Sequence, residues 1–547
     1  MSHHDLDPRT PVLVGVGQCA ERIDDPGYER LSAADLAGRA ATAALLDAGA
    51  GVDSGGLAAA IDTVVGVRQF ENSTPISVAP LGRSDNFPRA VARRIGADPA
   101  HAILDVVGGQ APQALVTELA GAIAAGEREV VLLAGAEAIS TARHLADAED
   151  RPDFTEAVGG QLEDRGAGLR GLVFWQTVVH GLLDAPAQYA LFENARRARL
   201  GLSREEYAAQ MGALFAPFTE VAAANPLSAA PDVRTARELV TPTERNRAIV
   251  DPYPRFLVAR DQVNQGAAVL LMSVAAAARH GVPEDRWVFL HGHADVRSRD
   301  FFERDDLSAY PAAGLAVRHA LEVAGATLDT VTGFDLYSCF PIAVSSVLDD
   351  LRLAPEDPRG FTLTGGLPFF GGAGNNYSMH AIAEAVERCR SSVDELVLVG
   401  ANGGMLSKYS VGLYSSRPVP WREDDSVRLQ AELDARPAPP HEPHPEGWAT
   451  VESYTVRFGR DGHGACVVVG RLEETGARFM ANALEDDEET FELLAGPEPI
   501  GARVYVRAFA DHNRVATSLD RMDAQRPQED VDWADVDRQA AEFEATL

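Results

Sequence analysis

The sequence predicts an α/β fold made of two copies of one βα unit, followed by a small antiparallel β barrel. Three observations predict it. Strand-like and helix-like stretches alternate up to about residue 420. Five of these features recur in the same order about 265 residues later. Beyond a proline-rich stretch at 436–446, short strands with glycine turns replace the helices.

The first apolar strand is Pro11–Gly17 (PVLVGVG). An Ala/Leu amphipathic helix at 33–49 follows, with a glycine at its C-cap, and then the phrase IDTVVG at Ile61–Gly66. Gly108-Gly109 opens the helix PQALVTELAGAIAAG, which leads to the strand VVLLAGAEA. The second copy runs through WVFLHGH at Trp287–His293, the helix at 312–325 and LDTVTG at Leu328–Gly333. It continues through Gly371-Gly372, the helix HAIAEAVERC and the strand LVLVGANGG. Strands as apolar as VVLLAG and LVLVGAN require helices on both faces. The stretch between the copies, roughly 145–255, is helix-rich, with turns at Asn225-Pro226 and Asp251-Pro252. It reads as an excursion from the first unit, and the chain returns through NQGAAVLLMS at Asn264–Ser273. The domain reading is therefore 10–145 with 256–285 as a first half, 146–255 as an inserted loop domain, and 286–420 as a second half. A proline-rich linker at 421–447, a small OB-like β domain at 448–520 and an acidic tail at 521–547 complete it. Turn glycines are expected at Arg460-Asp461-Gly462 and Gly464, and the tail is either a helix or partly disordered.

Composition narrows the function. The chain has 547 residues and a net charge of −32, which argues against nucleic acid or an anionic membrane as partner. Lys408 is the single lysine, so a Schiff-base mechanism has almost nothing to use, and an anionic ligand falls to arginines or backbone amides. Cys19, Cys339, Cys389 and Cys466 are widely spaced, with no metal-ligand pattern, so neither a metal nor a disulfide framework is expected. No signal peptide and no apolar run of membrane-spanning length is present, and a cytoplasmic protein is expected.

The duplicated halves, the inserted segment and the returning NQGAA phrase, over residues 10 to 418, resemble the thiolase superfamily. In detail the chain is similar to the sterol-carrier-protein-type thiolases and to the actinobacterial thiolase-like proteins (type 1), whose added C-terminal domain 448–520 resembles. The resemblance implies a five-layered α/β/α/β/α core. It also implies a chemistry of carbon–carbon bonds beside a thioester, with a cysteine nucleophile, an acid/base cysteine or histidine, and oxyanion holes.

The motifs depart from that chemistry. The nucleophile's stretch is Asp105-Val-Val-Gly-Gly-Gln-Ala-Pro-Gln113, so the nucleophile's place falls on Gly108, or on Gly109 in a register shifted by one. The HDCF or NEAF motif reads Tyr337-Ser338-Cys339-Phe340, which changes the oxyanion-hole residue and keeps the cysteine. GHP maps to Gly371-Gly372-Ala373, so the activating histidine becomes Gly372, and His380 lies two turns along the next helix. CxG maps to Gly400-Ala401-Asn402. The surviving catalytic candidates are Cys339, Tyr337 and His380. The candidates for holding a ligand are Gly108, Gly109, Gly371, Gly372, Asn375 and Asn402, through backbone amides and carboxamides. Packing is the alternative reading for Cys339, and turn formation for Asn375.

The resemblance further implies coenzyme A or an acyl-CoA as ligand, with nothing bound covalently. The arginines of the inserted segment, Arg196, Arg197, Arg199, Arg204, Arg245 and Arg247, suit its phosphates as a region, while a solvated helix face is the default for each. Three functions stay open: a CoA-binding protein without thiolase turnover; an acyltransferase or retro-aldol lyase using Cys339 and Tyr337; and a non-enzymatic interaction protein. A monomer or homodimer is expected, with an acyl-CoA-handling protein as a further partner.

Overall fold

The computed structural model describes residues 6–49, 54–74, 76–170, 172–458, 465–485 and 487–547. Its first sheet runs Pro11–Ala20, Asn264–Ser273, Val130–Ala138, Thr63–Gly66, His101–Leu104 and Glu163–Asp164. The second runs Phe289–Arg297, Lys408–Ser415, Val397–Gly403 and Gly333–Leu336. Read from the first strand of each, successive pairs are antiparallel, antiparallel and parallel in both sheets. The repeat in the sequence is thus a repeat of topology.

The helices form the remaining layers. Ala111–Ala125 and Tyr377–Ser391 pack on each other between the sheets. Their Leu115, Leu119, Ile382 and Val386 share one core with Val131 and Val269 of the first sheet and Val397 and Val399 of the second. Ala33–Asp47 covers the outer face of the first sheet, and Pro311–Ala324 that of the second. The result is the five-layered α/β/α/β/α arrangement. Local signals set the helix ends. Ser32 and Asp35 form a reciprocal cap at the start of Ala33–Asp47. Gly126 and Gly325 end their helices in the left-handed conformation, at φ 79° and 64°. Ala33–Asp47 differs from expectation by ending on Ala48, one residue before the glycine.

Among the elements that the sequence reading does not name, four bear on the architecture. Glu163–Asp164, two exposed charged residues, pairs with Ile103 and Leu104 and occupies the edge of the first sheet. Ser426–Asp434, inside the stretch read as a linker, is a helix that buries Leu429 and Leu433. In the C-terminal region, Glu446–Val456, Cys466–Leu472, Arg478–Ala483, Arg514–Ala516 and Arg503–Arg507 close into a five-stranded barrel. Its strand Arg514–Ala516 is too short to carry a period-2 pattern, and the helix Glu488–Ala495 interrupts the barrel before it. The turn read at Arg460-Asp461-Gly462 and Gly464 lies outside the described residues. The acidic tail contains the helix Trp533–Glu544, whose Trp533 stacks on His444 at 4.2 Å.

The barrel is fastened to the core by buried polar contacts. Arg478 is fully buried, pairs with Glu452 at 2.7 Å and donates to the Phe302 carbonyl at 3.0 Å. Arg204 donates to Tyr454 Oη and to the Gly496 carbonyl, both at 2.7 Å. Among the described residues no helix is long and apolar enough to cross a membrane.

Candidate functional site

The site forms where the sequence motifs sit at the carboxyl ends of parallel strands, the usual place for ligands in α/β sheets. His101–Leu104 delivers the 105–110 loop, Gly333–Leu336 delivers 337–340, and Val397–Gly403 carries Asn402 one residue before its end. The glycine loop 365–376 enters from the start of the central helix Tyr377–Ser391.

Each glycine that the motif spacing sets at a catalytic position faces a neighbouring side chain or a tight wall. A Cβ on Gly109 would stand 2.2 Å from Tyr337 Oη and 2.4 Å from Cζ. A Cβ on Gly108, where φ is 140°, would lie 2.0 Å from Gln110 Oε1. The same oxygen would be 1.8 Å from a Cβ on Gly403. A Cβ on Gly400 would meet Tyr409 Oη at 2.2 Å. Gly372 is looser, with the Arg260 carbonyl and Leu367 each 3.3 Å away. Glycine is therefore required at Gly108, Gly109 and Gly400 by what has moved in.

The amides that could have formed an oxyanion hole are engaged within the fold. Asn375 Oδ1 accepts the Gly108 N–H at 2.9 Å, while its Nδ2 donates to the Arg68 carbonyl at 2.7 Å. The Gly372 N–H donates to the Arg260 carbonyl at 2.8 Å. Gly371 lies at φ 124°, its Cβ direction blocked by Gln265 Oε1 at 2.6 Å. Asn402 donates to Tyr189 Oη at 2.7 Å and accepts from Tyr310 Oη at 3.1 Å. These residues lie together around Gly108 and Cys339, but their polar groups face one another.

Tyr337 and Cys339 are both buried, at 9% and 6% exposure. Burial pushes the Cys339 thiol up to about 12, although Tyr189 and Asn402 lie within hydrogen-bonding reach. Burial also holds the Tyr337 phenol well above its ordinary value. Both are therefore protonated at neutral pH: donors, not bases. His380 is placed apart from them. Tyr337 meets Tyr377 edge-on at 5.4 Å, Tyr377 meets Phe370 at 6.2 Å, and Phe370 meets His380 at 5.1 Å. Its Nδ1 pairs with Gln18 Oε1 at 2.7 Å, and burial alone pushes its ionisation down to about 3. It is a neutral core imidazole.

Two arginines of the inserted segment depart from the solvated-face default, while Arg199, Arg245 and Arg247 are exposed. Arg196 and Arg197 are buried. Arg196 grips Asp349 at 2.7 Å and Tyr207 Oη at 3.1 Å, and Arg197 reaches Glu498 at 3.0 Å. Arg199 joins Asp349 at 2.6 Å. They tie the segment to its surroundings. Lys408, the single lysine, is buried too; it donates to the Val107 carbonyl at 2.9 Å, and burial pushes it down to about 8. It holds the loop that leads into Gly108.

Sequence reasoning missed Gln110 as an occupant, and Tyr189, Tyr409 and Arg260 entirely. For the tyrosines no sequence signal exists: each meets the site only through the fold. The buried Tyr409 Oη has no hydrogen-bond partner among the described residues.

Comparison with known proteins agrees with this architecture. Residues 428–510 match the family described as the thiolase-like protein type 1 additional C-terminal domain. The crystal structure of a monomeric SCP2-thiolase-like protein type 1 from Mycobacterium smegmatis is 48% identical, with a TM-score of 0.80, covering 94% of this chain and 100% of that one. The fold alone is shared with the Ltp2-ChsH2(DUF35) aldolase, at 21% identity and a TM-score of 0.53, covering 75% and 99% of the two chains. It is likewise shared with the Acat5 thiolase from Ascaris suum in complex with coenzyme A, at 14% identity and a TM-score of 0.51, covering 74% and 99%. No curated protein matches the sequence. Near-complete coverage at 48% identity, with the added C-terminal domain matched in place, shows that this chain belongs to the SCP2-thiolase-like proteins of type 1.

Proposed function

We propose that this protein binds coenzyme A thioesters without carrying out thiolytic cleavage. The observation that carries the reading is the filling of two places: Gln110 and Tyr337 fill the space beside Gly108 and Gly109, the nucleophile's place in either register, and Tyr409 fills that beside Gly400. A covalent acyl-enzyme needs a thiolate at the first and a proton carrier at the second. Neither position carries such a side chain, and neither has room for one. Membership of a thiolase-like family, together with the fold shared with a thiolase crystallised with coenzyme A, supports the thioester as ligand.

The carbon–carbon lyase reading needs a base near the α-carbon. Burial raises both Cys339 and Tyr337, so neither of that reading's two candidates favours the role. A purely structural role predicts no ligand at all. Isothermal titration with acetyl-CoA, butyryl-CoA and free CoA separates the readings. Saturable binding of the esters is expected, and heats indistinguishable from dilution for all three would refute it.

A further inference from the structure

A cavity of about 410 Å³ opens between the 70–80 segment and the short helix Ile139–Leu145. That volume is in the range of small-molecule sites. Its walls are largely apolar, built from Phe70, Val78, Pro80, Ile139, Ala142 and Ala146. Phe70 and Val78 are 43% and 75% exposed, so aromatic and aliphatic surface stands in water where the cavity opens.

Two carboxyl groups share this apolar space, Glu71 and Glu137. Glu137 belongs to the strand Val130–Ala138 and is only 3% exposed. Its Oε1 accepts the Phe70 N–H at 2.8 Å. The same oxygen is held against the glycine loop, where a Cβ on Gly374 would stand 2.1 Å from it. Its Oε2 has no hydrogen-bond partner among the described residues. The half-buried Glu71 carboxyl has neither a hydrogen bond nor an ion pair among the described residues. Arg83, whose charge acts on Glu71, gives its hydrogen bond to the Glu71 backbone carbonyl. Arg143 and Asp261, also at the cavity, pair with each other at 2.7 Å.

The chemistry of the cavity selects the sign of its ligand. Burial pushes the Glu71 carboxyl up to about 7. Burial, with the charges of Glu71 and Asp261 added to it, holds Glu137 well above the usual carboxylate range. An anion here would meet two carboxyl groups and no free cation. A neutral ligand would leave the unpartnered Oε2 as costly as before. Among the described residues no group of three His, Cys, Asp or Glu is placed to hold a metal ion. An ammonium has three donors and no acceptor, so one such group can bond both carboxylates at once. The Phe70 ring adds a face that attracts a cation.

We propose that this cavity binds a small primary amine on an alkyl or aryl body. Its ammonium lies between Glu71 and Glu137, and its body lies against Phe70, Val78 and Ile139. The site is independent of the thioester reading, because the charged end of coenzyme A is anionic.

Isothermal titration at neutral pH tests it with phenethylamine, its matched alcohol 2-phenylethanol and the matched acid 3-phenylpropanoate. Saturable binding of one amine per chain is expected, with the alcohol and the acid weaker by about tenfold or more. Glu137→Gln keeps an acceptor for the Phe70 N–H and should weaken the amine about tenfold while leaving the alcohol within about twofold. Glu71→Gln, at a half-buried position, should weaken the amine severalfold. Circular dichroism confirms the fold of each variant, and Glu71→Gln decides alone where Glu137→Gln does not fold. No saturable amine binding by wild type overturns the proposal. Equal affinity for amine and alcohol, or tighter binding of the acid, overturns it as well. Amine binding that neither substitution weakens belongs to surface carboxylates elsewhere on this acidic chain and overturns the site.

Discussion

Gly109 and Tyr337 share one space. A tyrosine hydroxyl 2.2 Å from a Cβ direction excludes even alanine. Gly109→Ala should therefore destabilise the protein by about 1–3 kcal/mol, the usual cost of overpacking a core. In a Tyr337→Ala background the same substitution should cost almost nothing, because the clashing ring is gone. A double-mutant cycle by urea denaturation reads this coupling, and additive effects would mean that the two residues do not compete. The thiols give a second test at this scale. Burial pushes Cys19 up to about 11 and Cys339, Cys389 and Cys466 to about 12, so at pH 8 the thiolate fraction of Cys339 is about one part in ten thousand. Native protein should resist alkylation between pH 7 and 9, while the urea-unfolded chain should take up four labels. Rapid native labelling at Cys339, identified by peptide mass, would show an activated cysteine. Motif spacing singles out Cys339, Tyr337, Gly108 or Gly109, Gly372 and Gly400 in the sequence. It did not reveal why they are glycine, because Gln110, Tyr337 and Tyr409 fill the gaps from different strands and loops.

At the scale of elements, the strands and helices of the two halves were legible because their apolar periodicity is strong and occurs twice. Glu163–Asp164 and Arg514–Ala516 were not, since two or three residues held by a neighbouring strand leave no periodic trace. Ser426–Asp434 had a signal in Leu429 and Leu433, but the prolines that follow it dominated the reading. Two consequences belong here. The central helix Tyr377–Ser391 carries His380 neutral in its buried position. Its ionisation lies below the unfolded value, so the unfolded chain binds the extra proton as pH falls from about 6.5 towards 3. Stability is full above that window and declines within it, by up to about 2 kcal/mol at pH 5 from this residue. His380→Gln should flatten that part of the stability–pH curve between 7 and 5, measured by urea denaturation; an unchanged slope would place the histidine in solvent. The barrel depends on Arg478, which satisfies Glu452 and the carbonyls of Phe301 and Phe302. Arg478→Met leaves those acceptors short of a donor and should cost about 3–5 kcal/mol. Scanning calorimetry should show a lowered transition, and an unchanged melting temperature would show that the barrel is held by other contacts.

The whole molecule is a duplicated core with its first sheet edge covered and its third structural unit packed against it. His101–Leu104 would be an open edge but for Glu163–Asp164, which pairs with it from the inserted segment. That covering removes one route to association by strand pairing. Sedimentation equilibrium should therefore give a mass near 58.4 kDa, and a species of twice that mass at micromolar concentration would show another interface at work. The barrel shares its core with the second half through Val467, Val469 and Met480, so ligand binding and barrel docking are expected to be coupled in stability.

The most direct test of the account is turnover. A panel of 3-ketoacyl-CoA substrates is incubated with free CoA, and loss of the ketoacyl thioester is followed for wild type and Cys339→Ala in the same preparations used for ester binding. The account predicts saturable binding and no thiolysis above the uncatalysed rate in either protein. Thiolysis by wild type that Cys339→Ala abolishes would contradict it and make that buried thiol the centre of an unusual mechanism.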